Sequence, residues 1–339
     1  MRLGRTGLRV GRVGFGALPI QRTAMDTAVT ILRKAYDQGV NYFDTARAYT
    51  DSEEKLGRAL SDVRKNIFIA TKSQALTREK LLADFEMSLK NLKTDYVDLL
   101  QLHNPNDLPN PDDQESALAA ALELKKAGKT RFVGLTSHRQ KNAMEGIASG
   151  YYDTMQFPLS YLSSPEDLEV VQQAAKYDVG MLAMKGMCGG LATRADIAFA
   201  FLWPYQNVLP LWGIQHEWEL DEFLGFAQNP PVWDKAMTAL QVEDMKTLGQ
   251  QYCRGCGYCL PCPEGISIHV VARMYHMIRR FPTKNYLTPE WRESMTRVEK
   301  CTRCGACMKR CPYGLQTPDL IREAKADYDQ IWKEQRNTL

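Results

Sequence analysis

An α/β barrel of the (β/α)8, or TIM, type followed by a small, mainly helical cysteine-rich domain is the fold the sequence predicts. Across the first 227 of 339 residues, eight short apolar stretches alternate with amphipathic ones. The apolar stretches are nearly continuous, as expected of parallel strands buried on both faces. Beyond them, eight of the nine cysteines fall in two tight runs. A doubly wound open sheet competes for the first part, but it usually opens on a Gly-x-Gly-x-x-Gly turn. Gly14-Phe-Gly16 has no third glycine and no helix directly behind it. Eight strand–helix units in succession favour the closed barrel.

In chain order, strands are expected at 10–16, 40–46, 67–72, 95–103, 132–138, Thr154–Pro158, 180–186 and 207–213. Helices are expected at 27–38, Arg78–Leu92, 114–127, Pro165–Lys176 and 217–227. In Arg78–Leu92, Leu81, Leu82, Phe85, Leu89 and Leu92 recur at helical spacing. Gly39 and Gly128 stand where two helices should stop. The barrel domain is assigned to 1–227, a linker marked by Pro230-Pro231 to 228–249, and the cysteine-rich domain to 250–339. Between the cysteine runs, Val270, Val271, Met274, Met277, Ile278 and Phe281 form a helical pattern, and a final helix is expected from Pro318 to Asn337.

Composition narrows the function. Hydrophobic content of 44% and charge of 24% are those of a soluble globular protein. A net charge of +3 is too small to suggest nucleic acid as a partner. No apolar run is long enough to span a bilayer, and MRLGRTGLRV lacks a signal-peptide core, so a cytoplasmic protein with no membrane partner is expected. Charge is unevenly placed: residues 250–339 hold 15 Lys and Arg against 9 Asp and Glu, a net +6, which leaves −3 on the residues before them. That excess either offsets negative charge on bound clusters or forms a surface for an acidic redox partner.

The two runs are Cys253-x2-Cys256-x2-Cys259-x2-Cys262-Pro263 and Cys301-x2-Cys304-x2-Cys307-x3-Cys311-Pro312. The second has the spacing with which bacterial-type ferredoxins hold a [4Fe–4S] cluster. Paired Cys-x2-Cys also builds zinc ribbons. Two runs of four, each closed by proline, favour two [4Fe–4S] clusters, although one cluster with spare thiols is the other arrangement. In two-cluster ferredoxins the fourth cysteine serves the neighbouring cluster. On that rule, one cluster takes Cys253, Cys256, Cys259 and Cys311, and the other takes Cys301, Cys304, Cys307 and Cys262.

At the C-terminal ends of the expected strands, where barrels of this type carry their active sites, stand Asp44, Tyr49 just beyond it, Lys72 and His103. They suit carbonyl reduction. Asp44 would hold Lys72 charged, and the ammonium would lower the pKa of the Tyr49 phenol. Tyr49 would then protonate the carbonyl oxygen as a hydride arrives at carbon, with His103 orienting the carbonyl.

LGRTGLRVGRVGFGALP from Leu3, NYFDTARAY over 41–49, SEEKLGRAL (Ser52–Leu60), IFIATK and DYVDLLQLH resemble the aldo-keto reductase superfamily. More narrowly, the chain resembles the branch of that superfamily fused to a C-terminal ferredoxin-type domain. The resemblance covers roughly residues 1–225 and places the family's Asp/Tyr/Lys/His tetrad on Asp44, Tyr49, Lys72 and His103. It implies reduction of a small aldehyde or ketone with NAD(P)H lying across the barrel mouth. By the same resemblance the cofactor contacts fall on Gly16, Ala17, Asp44, Thr136, Ser137, Gln156, Met184 and Gln215. Two of these depart from the family pattern. Thr136-Ser137 stands for a Ser-Asn pair, and Met184 stands for the aromatic ring that stacks on the nicotinamide. After the eighth strand, Glu217 and Glu219 replace the cations that NADP-specific relatives use, which favours NADH.

Cys188, in Met187-Cys188-Gly189-Gly190, reads as a small residue packed in a glycine-rich turn. Trp203, Tyr205, Trp212 and Phe157 read either as lining for the mouth or as packing. A hydride carries two electrons and each cluster carries one, so the clusters imply a redox partner protein or a flavin carrier, or else serve regulation or structure. The competing function is an electron-transfer or redox-sensing iron–sulfur protein whose barrel is a scaffold.

Overall fold

A computed structural model describes residues 1–248, 252–280 and 283–335, and it divides into two units. The first comprises Met1–Gly186 with Ala195–Trp233; the second comprises Met187–Arg194 with residues 234–339.

Eight parallel strands close the first unit into a barrel in the order of the sequence. They are β1 (Gly14–Gly16), β2 (Tyr42–Asp44), β3 (Phe68–Ser73), β4 (Val97–His103), β5 (Thr130–Thr136), β6 (Thr154–Pro158), β7 (Gly180–Met184) and β8 (Val208–Gly213). The helices that follow them are α1 (Met25–Asp37), α2 (Ser52–Leu60), α3 (Arg78–Leu92), α4 (Ala117–Lys126), α5 (Gln140–Ser149), α6 (Pro165–Lys176), α7 (Ala195–Leu202) and α8 (Glu217–Gln228). Local signals set their starts. Ser164 and Asp167 cap α6 reciprocally, with Pro165 at the first helical position, and the Thr77 side chain accepts from Lys80 N at the start of α3.

The first strand is shorter than expected. Residues 1–10 form a hairpin turned at Gly7, with Leu3 N donating to Leu8 O and Val10 N to Met1 O. Its Leu3, Leu8 and Val10 pack against Tyr42, Ala70, Leu99, Leu182 and Leu209 and plug the N-terminal end of the barrel. The aromatic residues read as mouth or packing include two that are packing: Trp212, 1% exposed, stacks between Phe199 and Phe223, and Phe157 is buried.

In the second unit, part of the stretch expected as a linker is α9 (Lys235–Leu248). It is followed by α10 (Ile268–Val271), α11 (Met274–Arg280), α12 (Pro289–Thr296), α13 (Ala306–Arg310) and α14 (Thr317–Gln335). Of the pattern between the cysteine runs, Phe281 lies outside the described residues, as do the last two positions of the expected final helix. Ile268, Val271, Met274, Ile278, Met295, Ile321 and Tyr328 make this unit's core together with Cys253, Cys259 and Cys307. No helix among the described residues is long and apolar enough to cross a membrane.

Candidate active site and cluster-binding cysteines

The four ionisable residues gather at one mouth because their strands end side by side. Asp44 closes β2, Lys72 lies one residue from the end of β3, and His103 closes β4. Lys72 Nζ donates to Asp44 Oδ2 at 2.6 Å and to Thr45 O at 2.6 Å, and it is 5.1 Å from the centroid of the Tyr49 ring. The Tyr49 and His103 rings meet edge to face, with centroids 5.8 Å apart.

Tyr49 sits in the loop after β2, and that loop is tied down at several points. Tyr49 N donates to Ala46 O and Ser52 N to Tyr49 O, while the Ser52 hydroxyl donates to Ala17 O and bonds Thr45 Oγ1. Below it the buried Glu53 carboxylate accepts from Arg47 and, at 2.6 Å, from Thr71 Oγ1. Buried Lys55 holds Ile20 O and Asp51. These polar anchors fix Tyr49 from the SEEKLGRAL side, a structural task the motif does not reveal by itself.

Electrostatics depart from expectation at one residue. Burial, and then the negative charge of Asp44, raise the Tyr49 phenol above its ordinary pKa; a lowered value was expected from Lys72. Desolvation dominates because a phenolate loses far more hydration on burial than a phenol does. The His103 imidazole is pushed down to about 3, by burial first and then by the Lys72 charge, so it is neutral at working pH. Burial also raises Asp44 and lowers Lys72, and their mutual contact pulls each back towards ionisation.

Sequence reasoning missed Gln101. It is fully buried on β4, and its Nε2 donates to Asp44 Oδ1 at 3.2 Å and to Gln156 Oε1 at 3.0 Å. It thereby links two of the expected site residues. Its signal was present: two residues before His103 on a strand, it must face the same interior.

The expected cofactor residues ring the same mouth. Gly16 pairs with Asp44 on one side and Gly213 on the other, and Ala17 N donates to Asp44 O at 2.8 Å. Thr136 pairs in register with His103 and with Gln156, and Met184 ends β7. The Ser137 hydroxyl turns back to its own loop, donating to Arg139 O. Thr136 Oγ1 and Gln215 Oε1 are buried with no hydrogen-bond partner among the described residues. Such atoms are costly unless something supplies a partner, so they fit a polar ligand laid across the mouth. At the start of α8, the Glu219 carboxylate accepts from Gln215 N at 2.8 Å and His216 N at 2.9 Å, filling the helix N-terminus. Glu217 is paired with Lys34 at 3.2 Å.

In the second unit no cysteine is in a disulfide. Cys253 lies close enough to Cys256 and Cys311 for their charges to interact, and Gly255 N donates to its sulfur. Cys262, Cys301, Cys304 and Cys307 line one cavity together with Cys259. Arg310 brings the runs together, its guanidinium donating to Leu260 O and Pro261 O, each at 2.9 Å, beside Cys262. Among the described residues no three metal-binding side chains converge on a single point. A cubane asks for no such convergence, since each thiolate takes a different iron, and thiolates spread around a cavity fit it. Cys188 is buried, at φ 52°, in the glycine-rich turn.

Comparison with known proteins agrees with both halves. A model described as the aldo/keto reductase family matches residues 10–200, and one described as a 4Fe-4S dicluster domain matches residues 252–316. L-galactose dehydrogenase of Arabidopsis thaliana is 36% identical over 149 residues, 40% of this chain and 47% of that one. Aldo-keto reductase YhdN of Bacillus subtilis is 30% identical over 209 residues, 56% of this chain and 62% of that one. The chain thus spans about half to three fifths of the lengths of these curated relatives. A solved aldo-keto reductase of Klebsiella pneumoniae, in complex with NADPH, shares the fold with a TM-score of 0.61 at 20% identity, covering 72% of this chain and 93% of its own.

Proposed function

The chain belongs to the aldo/keto reductase family and carries a 4Fe-4S dicluster domain, and from that premise we propose that it reduces a small aldehyde or ketone to the alcohol with NAD(P)H, Tyr49 acting as general acid. The observation that carries this reading is the 2.6 Å contact of Lys72 with Asp44 beside the facing rings of Tyr49 and His103. The nicotinamide, when bound, supplies the hydride; Gly16, Ala17, Asp44, Thr136, Ser137, Gln156, Met184 and Gln215 are the residues that would hold it. Neutral His103 orients the carbonyl oxygen towards Tyr49. A phenol raised in pKa stays protonated, so the donor is loaded whenever substrate arrives. As the proton leaves, the Lys72 ammonium facing the ring stabilises the phenolate. Asp44, itself held by a hydrogen bond from Gln101 Nε2, keeps that ammonium in place.

Glu219 at the start of α8 favours NADH, because a carboxylate already accepts from the backbone groups that a 2′-phosphate would seek. In the second unit we assign one cluster to Cys253, Cys256, Cys259 and Cys311. The other falls to Cys262, Cys301, Cys304 and Cys307, which line one cavity that Cys259 also borders, and the Arg310 clamp beside Cys262 supports bringing that residue to the second run.

The test is Tyr49→Phe in cluster-loaded protein, with carbonyl-dependent NADH oxidation followed anaerobically. Loss of a positioned acid costs about 10²–10⁴-fold in kcat, while NADH binding by fluorescence is retained. Turnover equal to the parent would overturn the reading and favour a barrel that serves as scaffold.

A further inference from the structure

Among the eight clustered cysteines, all within the described residues, Cys304 alone is exposed; Cys253, Cys259 and Cys307 are buried and the rest are intermediate. Beside the first cysteine run, the Arg254 guanidinium lies over the Tyr252 and Tyr313 rings at 4.7 and 4.3 Å. Electron transfer weakens steeply with distance, so the cluster reached through Cys304 is the one a partner can approach.

The surface around that cysteine is basic. Lys300, Arg303 and Lys309 are exposed within five residues of it along the chain. The nearby carboxylates are largely spent: Asp319 pairs with Arg303 at 2.7 Å, and Glu299 pairs with Lys325 at 2.9 Å. Glu264 lines the cavity itself. Lys300 and Lys309 make no ion pair with any described residue. Unpaired exposed cations beside an exposed ligand raise the local concentration of anionic partners.

We infer that the Cys304 edge is the docking face for an acidic one-electron carrier protein, with Lys300 and Lys309 as its steering residues. The inference rests on the cluster reading above. In the step concerned one electron leaves a reduced cluster, which returns to its oxidised level, and reduces the carrier by one electron; no proton or bond is exchanged.

The experiment uses full-length protein with reduced, loaded clusters and an acidic plant-type ferredoxin as acceptor, mixed anaerobically in stopped flow. The parent should transfer quickly at low salt and slow as salt rises. The Lys300→Glu/Lys309→Glu variant should be about tenfold slower at low salt and nearly insensitive to salt. Lys126→Glu, a charge reversal on α4, should match the parent. A small anionic oxidant, the cobalt(III)–EDTA complex, should show the same ranking, and cationic hexaamminecobalt(III) the reverse. Equal rates for parent and double variant, or an equal loss in Lys126→Glu, would overturn the docking face. Cluster content is measured first by EPR and iron analysis. If no [4Fe–4S] cluster assembles in the parent, the cluster reading itself fails, a result distinct from clusters that form and ignore the charges.

Discussion

Burial moves the ionisable groups at the barrel mouth in directions that decide how the site answers to pH. His103, pushed down to about 3 from 6.5, does not change charge where a free histidine would. Lys72 is lowered from its ordinary 10.5, and its positive form exists only below that lowered value. Reductase kcat/KM should therefore be flat through pH 6.5 and fall only as alkaline pH strips Lys72 of its proton. A pH–rate profile with an inflection near 6.5 would assign a titrating role to His103 and contradict this. Linkage gives the matching sign for stability. Between 6.5 and about 3 the unfolded chain binds a proton at His103 that the folded chain does not. That contribution is therefore intact above 6.5 and is lost as pH falls through the window. The positions of Asp44, Tyr49, Lys72 and His103 were legible because strand ends can be read from apolar runs. The raised Tyr49 pKa was not, because it depends on how deeply the ring is buried, and Gln101 was passed over because a polar residue inside a barrel contradicts the apolar pattern used to find the strand.

At the scale of elements, α2 and α3 show why the pattern SEEKLGRAL carries a glycine in mid-helix. A helical glycine costs about 0.5–1 kcal/mol against alanine, so propensity alone predicts that Gly57→Ala stabilises. The structure predicts the opposite: a Cβ there would lie 2.1 Å from Asn91 O and 2.8 Å from Leu92 C, backbone atoms at the end of α3. Forcing two helices apart in a packed layer costs typically 1–3 kcal/mol, which exceeds the propensity gain. Gly57→Ala should lower the thermal midpoint of the barrel as followed by near-UV circular dichroism, and a midpoint at or above the parent's would show that the helices yield freely. The strands and the helices α3 and α6 were readable because period and capping residues agree. Helix α9 was not, because Pro230-Pro231 advertises a linker and because one of its buried positions is Asp244, which a polar–apolar reading turns towards water. The hairpin of residues 1–10 was hidden for a related reason: its apolar residues continue smoothly into β1, and only Gly7 marks the reversal.

For the whole molecule the question is whether the barrel's chemistry needs the iron–sulfur unit, whose residues 250–339 carry the net +6 against −3 on the rest. Reduction of a carbonyl by hydride moves two electrons and a nucleus together, and in the mechanism proposed above the proton would come from Tyr49; nothing in that balance calls on a one-electron carrier. Passing an electron from a nicotinamide straight to a cluster would instead leave a nicotinamide radical, an unfavourable intermediate without a flavin to split the pair. Two results should follow. NADH added anaerobically to loaded protein without a carbonyl should leave the clusters oxidised, with no reduced-cluster EPR signal and no visible bleaching. Carbonyl-dependent NADH oxidation per barrel should also be the same, within about twofold, in protein depleted of clusters by chelation under oxidant, provided circular dichroism shows the barrel intact. Bleaching by NADH alone would mean that the two halves exchange electrons and that a two-to-one splitter is bound. A loss of turnover on depletion with the barrel intact would instead mean that the iron–sulfur unit shapes the active site without passing electrons to it. The two assays together separate electron exchange from conformational support, which the family relationship alone leaves undivided.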